Sequence, residues 1–358
     1  MKTICFFNSN KAWGGGEKWH LSTAKEFERR GYHTIIVAHV DSELAKKASA
    51  QKLKFYSFFI NNLSFLNPIK ILVMMTFFKT HQIEAVVMNL PSDLKLAGIA
   101  AKLAGVKTIV YRRGMPHPLR NSFLNRLLFK NILTHVIVNS QEIGRSLQQG
   151  NEAWFPQEKM LLLYNGVNTR LPINTDQKLY SKVGEEIVIG NAGRLTEQKG
   201  QKYLLQMAQI LKSKGVNFHL LIAGEGELHR DLQNAISAEN LDNEVTLLGH
   251  VEDMTAFMNS LDIFVFPSLF EGSANTLIET LHHGKPCIAF DISSNPEIIE
   301  HGVNGYLAKP FEANELAQYV MELSSHPERA SEFVKKGEAI ILEKFDSGKN
   351  LDKLQKIL

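Results

Sequence analysis

The stretch IFVFPSLFEGSANTLIETL, residues 263–281, decides how the chain is read. An apolar run closes at Pro267-Ser268, a loop of small residues follows, and Leu277, Ile278 and Leu281 then fall at helical spacing. This is a strand, a loop and a helix in immediate succession. Gly272, Ser273 and Ala274 let backbone N–H groups come close to a ligand, and Asn275 and Thr276 are helix-capping residue types. The start of such a helix attracts anions through its unpaired donors and the positive end of its dipole. Glu279 would stand about 5–8 Å further along the helix axis, roughly the distance from a diphosphate to its ribose. A carboxylate accepts well from vicinal hydroxyls, so Glu279 suits a ribose. Glu271, ahead of the anion, would face whatever the diphosphate carries on its other side. The plain alternative is one surface glutamate and one helix-favouring glutamate.

A second cluster supports the ligand reading. NAGRLTEQKG (191–200) directly follows another strand, with Gly193 at its end and Gly200 before the next helix. Arg194 and Lys199 fall in this loop, on the carboxyl edge of the expected sheet. Two cations facing a helix start suggest a diphosphate clamp, although loop solvation would also place charges there. AGEGE (223–227), with Gly224, is a third strand end of this kind. LGHVEDM (248–254) is a fourth, where the backbone near Val251 is suited to reading a base edge.

Strand and helix patterns alternate along the whole chain. Residues 3–8, 31–40, 83–90, 106–113 and 134–140 read as strands in the first half, and 186–195, 218–226, 244–250, 263–268 and 286–291 in the second. The segment 164–186 is polar and aperiodic and reads as a linker. The expected fold is α/β, with two tandem doubly wound Rossmann-like domains facing a cleft. Expected boundaries are 1–165, a linker at 166–186, 187–342, and a helix at 343–358 returning to the first domain.

A length of 358 residues suits two domains, and 44% hydrophobic with 22% charged residues suits a globular chain. The longest apolar run, 69–78, is interrupted by Lys70 and is far short of the roughly 20 residues of a membrane span. No opening segment has the form of a signal peptide, and Cys5 and Cys287 lie in separate strand-like runs, so a reducing cytoplasm is expected. The net charge of +3 conceals an asymmetry: residues 1–165 hold 22 Lys/Arg against 10 Asp/Glu, and the remainder holds 18 against 27. Residues 94–141 carry eight basic side chains and no acidic one. That face is either simply solvated or meets an anionic partner or membrane leaflet.

EGSANTLIE and GRLTEQKG, together with HHGKPCIAFD, NGVN (165–168), HGVNGYL (301–307) and the GGGE at 14–17, resemble family 4 of the retaining nucleotide-sugar glycosyltransferases, of GT-B fold. The resemblance implies that Arg194 and Lys199 bind the donor diphosphate, Glu271 meets the donor sugar and Glu279 the ribose. Catalytic weight then rests on Glu271, Arg194 and Lys199. Gly272, Ser273, Ala274, Asn275 and Thr276 would cradle the phosphate, with Gly193, Gly224 and Val251 completing the donor site and Gly15 and Gly16 capping it. Many relatives carry a histidine where this chain reads YRRGMPHP (111–118), so Arg112, Arg113 and His117 become candidate contacts for acceptor or donor sugar. The transferred sugar is left open by that departure.

No D-x-D and no His/Cys/Asp cluster occurs, so neither a metal nor another cofactor is expected, and the leaving diphosphate would be met by Arg194, Lys199 and the helix dipole. The expected partners are a nucleotide-sugar donor, an anionic or lipid-linked glycan acceptor, and an anionic membrane surface met by SFLNRLLFKNIL (122–133), the alternative being that Phe123, Leu127 and Ile132 are simply core. Nucleic acid is not expected, because no readout motif accompanies the basic region. The expected activity is retaining glycosyl transfer in cell-envelope polysaccharide or lipopolysaccharide synthesis, at the inner face of the cytoplasmic membrane. Two alternatives stand beside it: a nucleotide-sugar 2-epimerase of the same architecture, and a catalytically idle sugar-nucleotide-binding protein.

Overall fold

Alternation along single strands explains why so many of them are apolar throughout. In β1 (Thr3–Asn8), Ile4 and Phe6 enter one core while Cys5 and Phe7 enter another, because successive side chains leave opposite faces of the sheet. Both faces are covered by helices, so both sets must be apolar. A computed structural model describes residues 2–358 of the chain. The first sheet adds β2 (His33–Ala38), β3 (Phe55–Ser57), β4 (Ala85–Met88), β5 (Thr108–Arg113), β6 (His135–Val138) and β7 (Met160–Leu162). Its seven strands are parallel, in the order β3-β2-β1-β4-β5-β6-β7.

The second sheet comprises β8 (Ile187–Ala192), β9 (Phe218–Ala223), β10 (Val245–Gly249), β11 (Ile263–Phe266), β12 (Cys287–Phe290) and β13 (Tyr306–Ala308). These six strands are also parallel, in the order β10-β9-β8-β11-β12-β13. Its core gathers Ile189, Leu220, Ile222, Val265, Ile288 and Phe290 with Leu204, Ala208 and Leu211 of the helix Gln201–Ser213.

The chain divides into two compact units, Met1–Asn165 with Leu351–Leu358, and Gly166–Asn350. The last helix, Ser347–Ile357, contributes Leu354 to the core that holds Ile4 and Phe6, and Arg30 donates to Asp352 at 2.7 Å. The polar segment after Gly166 is tied to the second unit, where Ser260 Oγ accepts from the backbone N–H groups of Leu179 and Tyr180 at 2.9 and 3.0 Å.

Three strands lie outside the sequence expectation. β3, β7 and β13 are each three residues long and close sheet edges, too short for period two to register. In the segment 122–133, Leu128, Phe129 and Ile132 are core residues and Leu124 and Leu127 are half-buried, while the apolar Phe123, 83% exposed, stands out to solvent. Both cysteines are free and buried, and burial pushes their thiols above the usual range. Among the described residues no helix is long and apolar enough to cross a membrane.

Candidate functional site

The strand order of the second sheet reverses between β8 and β11, which pair through Ile263–Ile189 and Phe264–Gly190. Loops leaving neighbouring strands at such a point part company and open a crevice at the carboxyl edge. One loop is Gly193–Gly200, the other 267–274, and the two are knitted together. Leu269 N–H donates to Gln198 O at 2.8 Å, and Gln198 Nε2 donates to Phe270 O at 2.8 Å. Gly200 has φ +67°, and a Cβ there would stand 2.2 Å from the Pro267 carbonyl oxygen, so only glycine permits this approach.

This knitting brings two of the expected site residues into direct contact. Lys199 Nζ donates to Glu271 Oε1 at 2.5 Å, and the ammonium lies 5.4 Å from the centre of the Phe266 ring. Their side chains are only 15% and 9% exposed. Ser293 fixes the Glu271 backbone, accepting from its N–H at 3.1 Å and donating to its carbonyl at 2.6 Å. Arg194 is exposed at the neighbouring strand end and has no carboxylate partner among the described residues, while its carbonyl accepts from Gln201 Nε2 at 2.9 Å.

Gly193 and Gly224 meet backbone to backbone. Gly224 has φ +136°, and a Cβ on it would lie 1.9 Å from the Gly193 carbonyl oxygen. Gly193 N–H donates to Ala223 O at 2.9 Å and Gly224 N–H to Gly249 O at 2.7 Å, so the ends of β8, β9 and β10 form one edge. Val251 follows on that edge, half-buried.

The helix Asn275–His282 begins at the cap residue Ala274, and no side chain caps it. Asn275 and Thr276 therefore lie inside the first turn, which corrects their expected capping role; Ser273 Oγ donates instead to Asn275 Oδ1 at 3.1 Å. The anion-attracting end of the helix is left to its own backbone. Glu279 is half-buried one turn further on.

The first sheet reverses between β1 and β4, and a buried polar cluster stands at that edge. Gly15 and Gly16 open the helix Gly15–Arg29, and a Cβ on Gly16 would lie 2.8 Å from Asn89 Nδ2. Arg112, 2% exposed, is not the surface cation expected from sequence. Strand alternation turns it away from Tyr111 and Arg113 and under Trp19, whose ring centre is 4.5 Å from the guanidinium carbon. It donates to Asn89 Oδ1 at 3.2 Å and Asn165 Oδ1 at 2.9 Å. Burial lowers its pKa to about 10, against the raising charge of Glu17. Arg113 donates to the Tyr111 hydroxyl at 3.1 Å and the His117 carbonyl at 2.8 Å, so these two candidates do stand together.

Three further groups of this cluster, Glu17, Asp93 and His20, were not expected from sequence. Glu17 accepts from Asn8 and Asn10 side chains, each at 3.0 Å. Asp93 accepts from Ser9 Oγ, from Ser9 N–H at 3.2 Å and from Leu90 N–H at 3.1 Å. Burial pushes Asp93 up to about 7. His20 donates from Nδ1 to Gly16 O at 3.0 Å, and burial followed by the Arg112 charge pushes it down to about 3. The available signal was Pro91 with Asp93 two residues on, a helix start directly after a strand.

Residues 13–171 match the model of glycosyltransferase family 4, and residues 173–339 match that of the glycosyl transferases group 1. The chain belongs to the group 1 glycosyltransferases. It is 33% identical over 177 residues to the amylovoran biosynthesis glycosyltransferase AmsK of Erwinia amylovora, covering 47% of this chain and 43% of that protein. The match therefore spans less than half the length of that relative. An uncharacterized glycosyltransferase of Haemophilus influenzae is 26% identical over 342 residues, 92% of each chain. The crystal structure of Anabaena Alr3699/HepE in complex with UDP and glucose superposes with a TM-score of 0.82 at 22% identity, covering 99% of both chains. The two parallel sheets of this glycosyltransferase-family chain are thus those of the GT-B fold.

Proposed function

We propose that the chain transfers a glycosyl group from a nucleotide-diphosphate sugar to a hydroxyl of a glycan or lipid-linked acceptor. The transfer retains anomeric configuration, uses no metal, and serves polysaccharide or lipopolysaccharide synthesis at the cytoplasmic face of the membrane. The observation that carries this reading is the Lys199–Glu271 pair at 2.5 Å, which joins the loop that also bears Arg194 to the loop leading into an uncapped helix start. An ammonium already held at the carboxyl edge is a preorganised charge for a leaving diphosphate. The biosynthetic role named for AmsK supports the polysaccharide role, and the UDP complex of HepE supports the donor class.

In the proposed step the acceptor oxygen bonds to the anomeric carbon from the face the diphosphate leaves. The carbon–oxygen bond to the diphosphate breaks, its electron pair departs with the phosphate, and the acceptor proton passes to a donor phosphate oxygen. Arg194, Lys199 and the backbone of Gly272 to Thr276 meet the growing negative charge. Glu271 accepts from sugar hydroxyls and Glu279 from the ribose, Gly193, Gly224 and Val251 line the nucleotide, and Gly15 and Gly16 close on the phosphate. Arg113 and His117 serve the acceptor or donor sugar. Within the first unit, buried Arg112 holds Asn89 and Asn165 in place.

The test incubates the purified chain with a panel of nucleotide-diphosphate sugars, with and without an envelope glycan or lipid-linked fraction. Nucleoside diphosphate should appear only with acceptor, and NMR of the product should show the donor's anomeric configuration. Consumption of donor alone to a free epimerised sugar would replace the reading with an isomerase. Tight nucleotide-sugar binding with no turnover on any acceptor would replace it with a binding protein.

A further inference from the structure

We propose that the outer face of the helix Pro68–Thr80, with the loop 59–66 leading into it, docks on an anionic lipid bilayer. The helix carries large apolar side chains on its exposed side as well as on its buried one. Met74, Phe77 and Phe78 face the core, whereas Ile69, Leu72 and Val73 form the opposite, solvent-facing stripe. Phe59, Leu63, Leu66, Ile69 and Leu72 are each more than 60% exposed. Soluble surfaces scatter such residues singly, and a contiguous run marks an interaction site.

Charge selects the occupant. From residue 44 to residue 83 the chain has six lysines and no acidic residue. The elements packed most extensively on this helix are Ser64–Leu66, Leu94–Gly98 and Ile99–Ala104, which bring Lys95 and Lys102 and again no acid. Lys52, Lys54, Lys79 and Lys102 are exposed and have no carboxylate partner among the described residues. An apolar strip rimmed by ammonium groups matches acyl chains beneath anionic headgroups. A second copy of the same face would oppose lysines to lysines, which disfavours self-association.

The strip is also held in shape before it meets anything. Lys70 Nζ donates to the Phe59 carbonyl and to Ser64 Oγ, both at 3.1 Å, and lies 5.3 Å from the Phe59 ring centre. Lys95 sits 5.6 Å from the Phe65 ring centre. The loop is therefore fastened to the helix by Lys70 and to the neighbouring Leu94–Gly98 segment by Lys95, and docking needs little further ordering. This site differs from the 122–133 segment favoured by sequence, whose apolar residues are largely core.

The surface would serve the lipid-linked acceptor of the proposed function. Vesicle binding is read without donor, acceptor or turnover, so either claim can fail without the other. The experiment is co-sedimentation of the full chain with phosphatidylglycerol-containing vesicles and with pure phosphatidylcholine vesicles, from low to high salt. The expected result is preferential binding to the anionic vesicles that weakens as salt rises, each adjoining lysine contributing about fivefold at low salt. Leu66→Ser/Ile69→Ser/Leu72→Ser should lower partitioning at least about tenfold, while circular dichroism and melting stay as in the parent, since all three side chains are exposed. Lys79→Glu/Lys102→Glu should abolish the preference for anionic lipid. No binding at any salt, or equal binding to both vesicles, overturns the proposal. So does loss of binding in Arg120→Glu/Arg126→Glu with none in the serine variant. A wild-type dimer in sedimentation velocity that the serine variant dissolves, without lipid binding, would assign the face to a second copy.

Discussion

Replacing Lys199 by Met removes the ammonium from a pair whose N–O distance is 2.5 Å, leaving the Glu271 carboxylate where only 9% of its side chain meets solvent. At an effective dielectric of about 20, charges this close attract by roughly 7 kcal/mol before desolvation is counted. Desolvation offsets most of that gross attraction. The net effect of breaking one side is therefore set by the stranded charge, about 3 kcal/mol for a pair nearly out of water. Glu271→Leu should cost a similar amount by stranding Lys199. For a unit of this size, about 3 kcal/mol lowers the midpoint by roughly 6–12 °C. The double variant Lys199→Met/Glu271→Leu strands neither charge and should lose only about 1–3 kcal/mol, which makes the coupling on the order of 3 kcal/mol. Calorimetry on the parent, the two single variants and the double variant measures the cycle, and donor turnover is followed on the same samples. The double variant should recover stability but not rate, because transition-state charge is then unmet. Additive destabilisation would refute the pairing, and recovered turnover would refute its catalytic use.

Gly224→Ala should destabilise by at least about 3 kcal/mol and weaken nucleotide binding, since the added Cβ falls 1.9 Å from the Gly193 carbonyl at φ +136°. An unchanged melting temperature would contradict this. Asp93, raised by burial from 3.8 to about 7, keeps its proton in the native chain, so its contribution falls as pH climbs through that window. His20, lowered mainly by burial from 6.5 to about 3, stays neutral in the native chain, so its contribution falls as pH drops through that window. The two oppose between about pH 4 and 6.5. Asp93→Asn should therefore show a stability that rises with pH more steeply than the parent, by up to about 1.4 kcal/mol per unit in urea titrations; equal slopes would contradict it. Turnover should persist in EDTA, because among the described residues no group of three or more His, Cys, Asp or Glu is placed to hold a metal; complete, magnesium-reversible loss would count against the mechanism.

The α/β architecture was legible because buried parallel strands are continuous apolar runs and the intervening helices keep their periodicity. IFVFPS needed only its turn residues to be placed at β11. The strands at Phe55–Ser57, Met160–Leu162 and Tyr306–Ala308 were not legible, since three residues carry no period. Loop chemistry around Lys199 and Glu271 could be read as charge beside a strand end, but not as a contact, because 72 residues separate the partners. Arg112 misled because alternation within TIVYRR assigns opposite faces to its two arginines without saying which face is covered. The acid-free count around residues 94–141 likewise located charge, while the exposed apolar strip lies earlier, at 59–73. A surface helix with an apolar outer face has the same composition as a core helix, so only structure separates the two.

In the proposed function, the carboxyl edge of β8 and β11 holds a nucleotide's diphosphate through Arg194 and Lys199. Titration calorimetry with matched nucleoside mono- and diphosphates, on the parent chain and on Arg194→Ala, tests it most directly. At least one nucleoside diphosphate should bind on the order of tenfold or more tightly than its monophosphate, and Arg194→Ala should remove most of that difference while leaving the monophosphate nearly unchanged. Equal affinities in the parent, or a diphosphate preference that survives intact in Arg194→Ala, would contradict it.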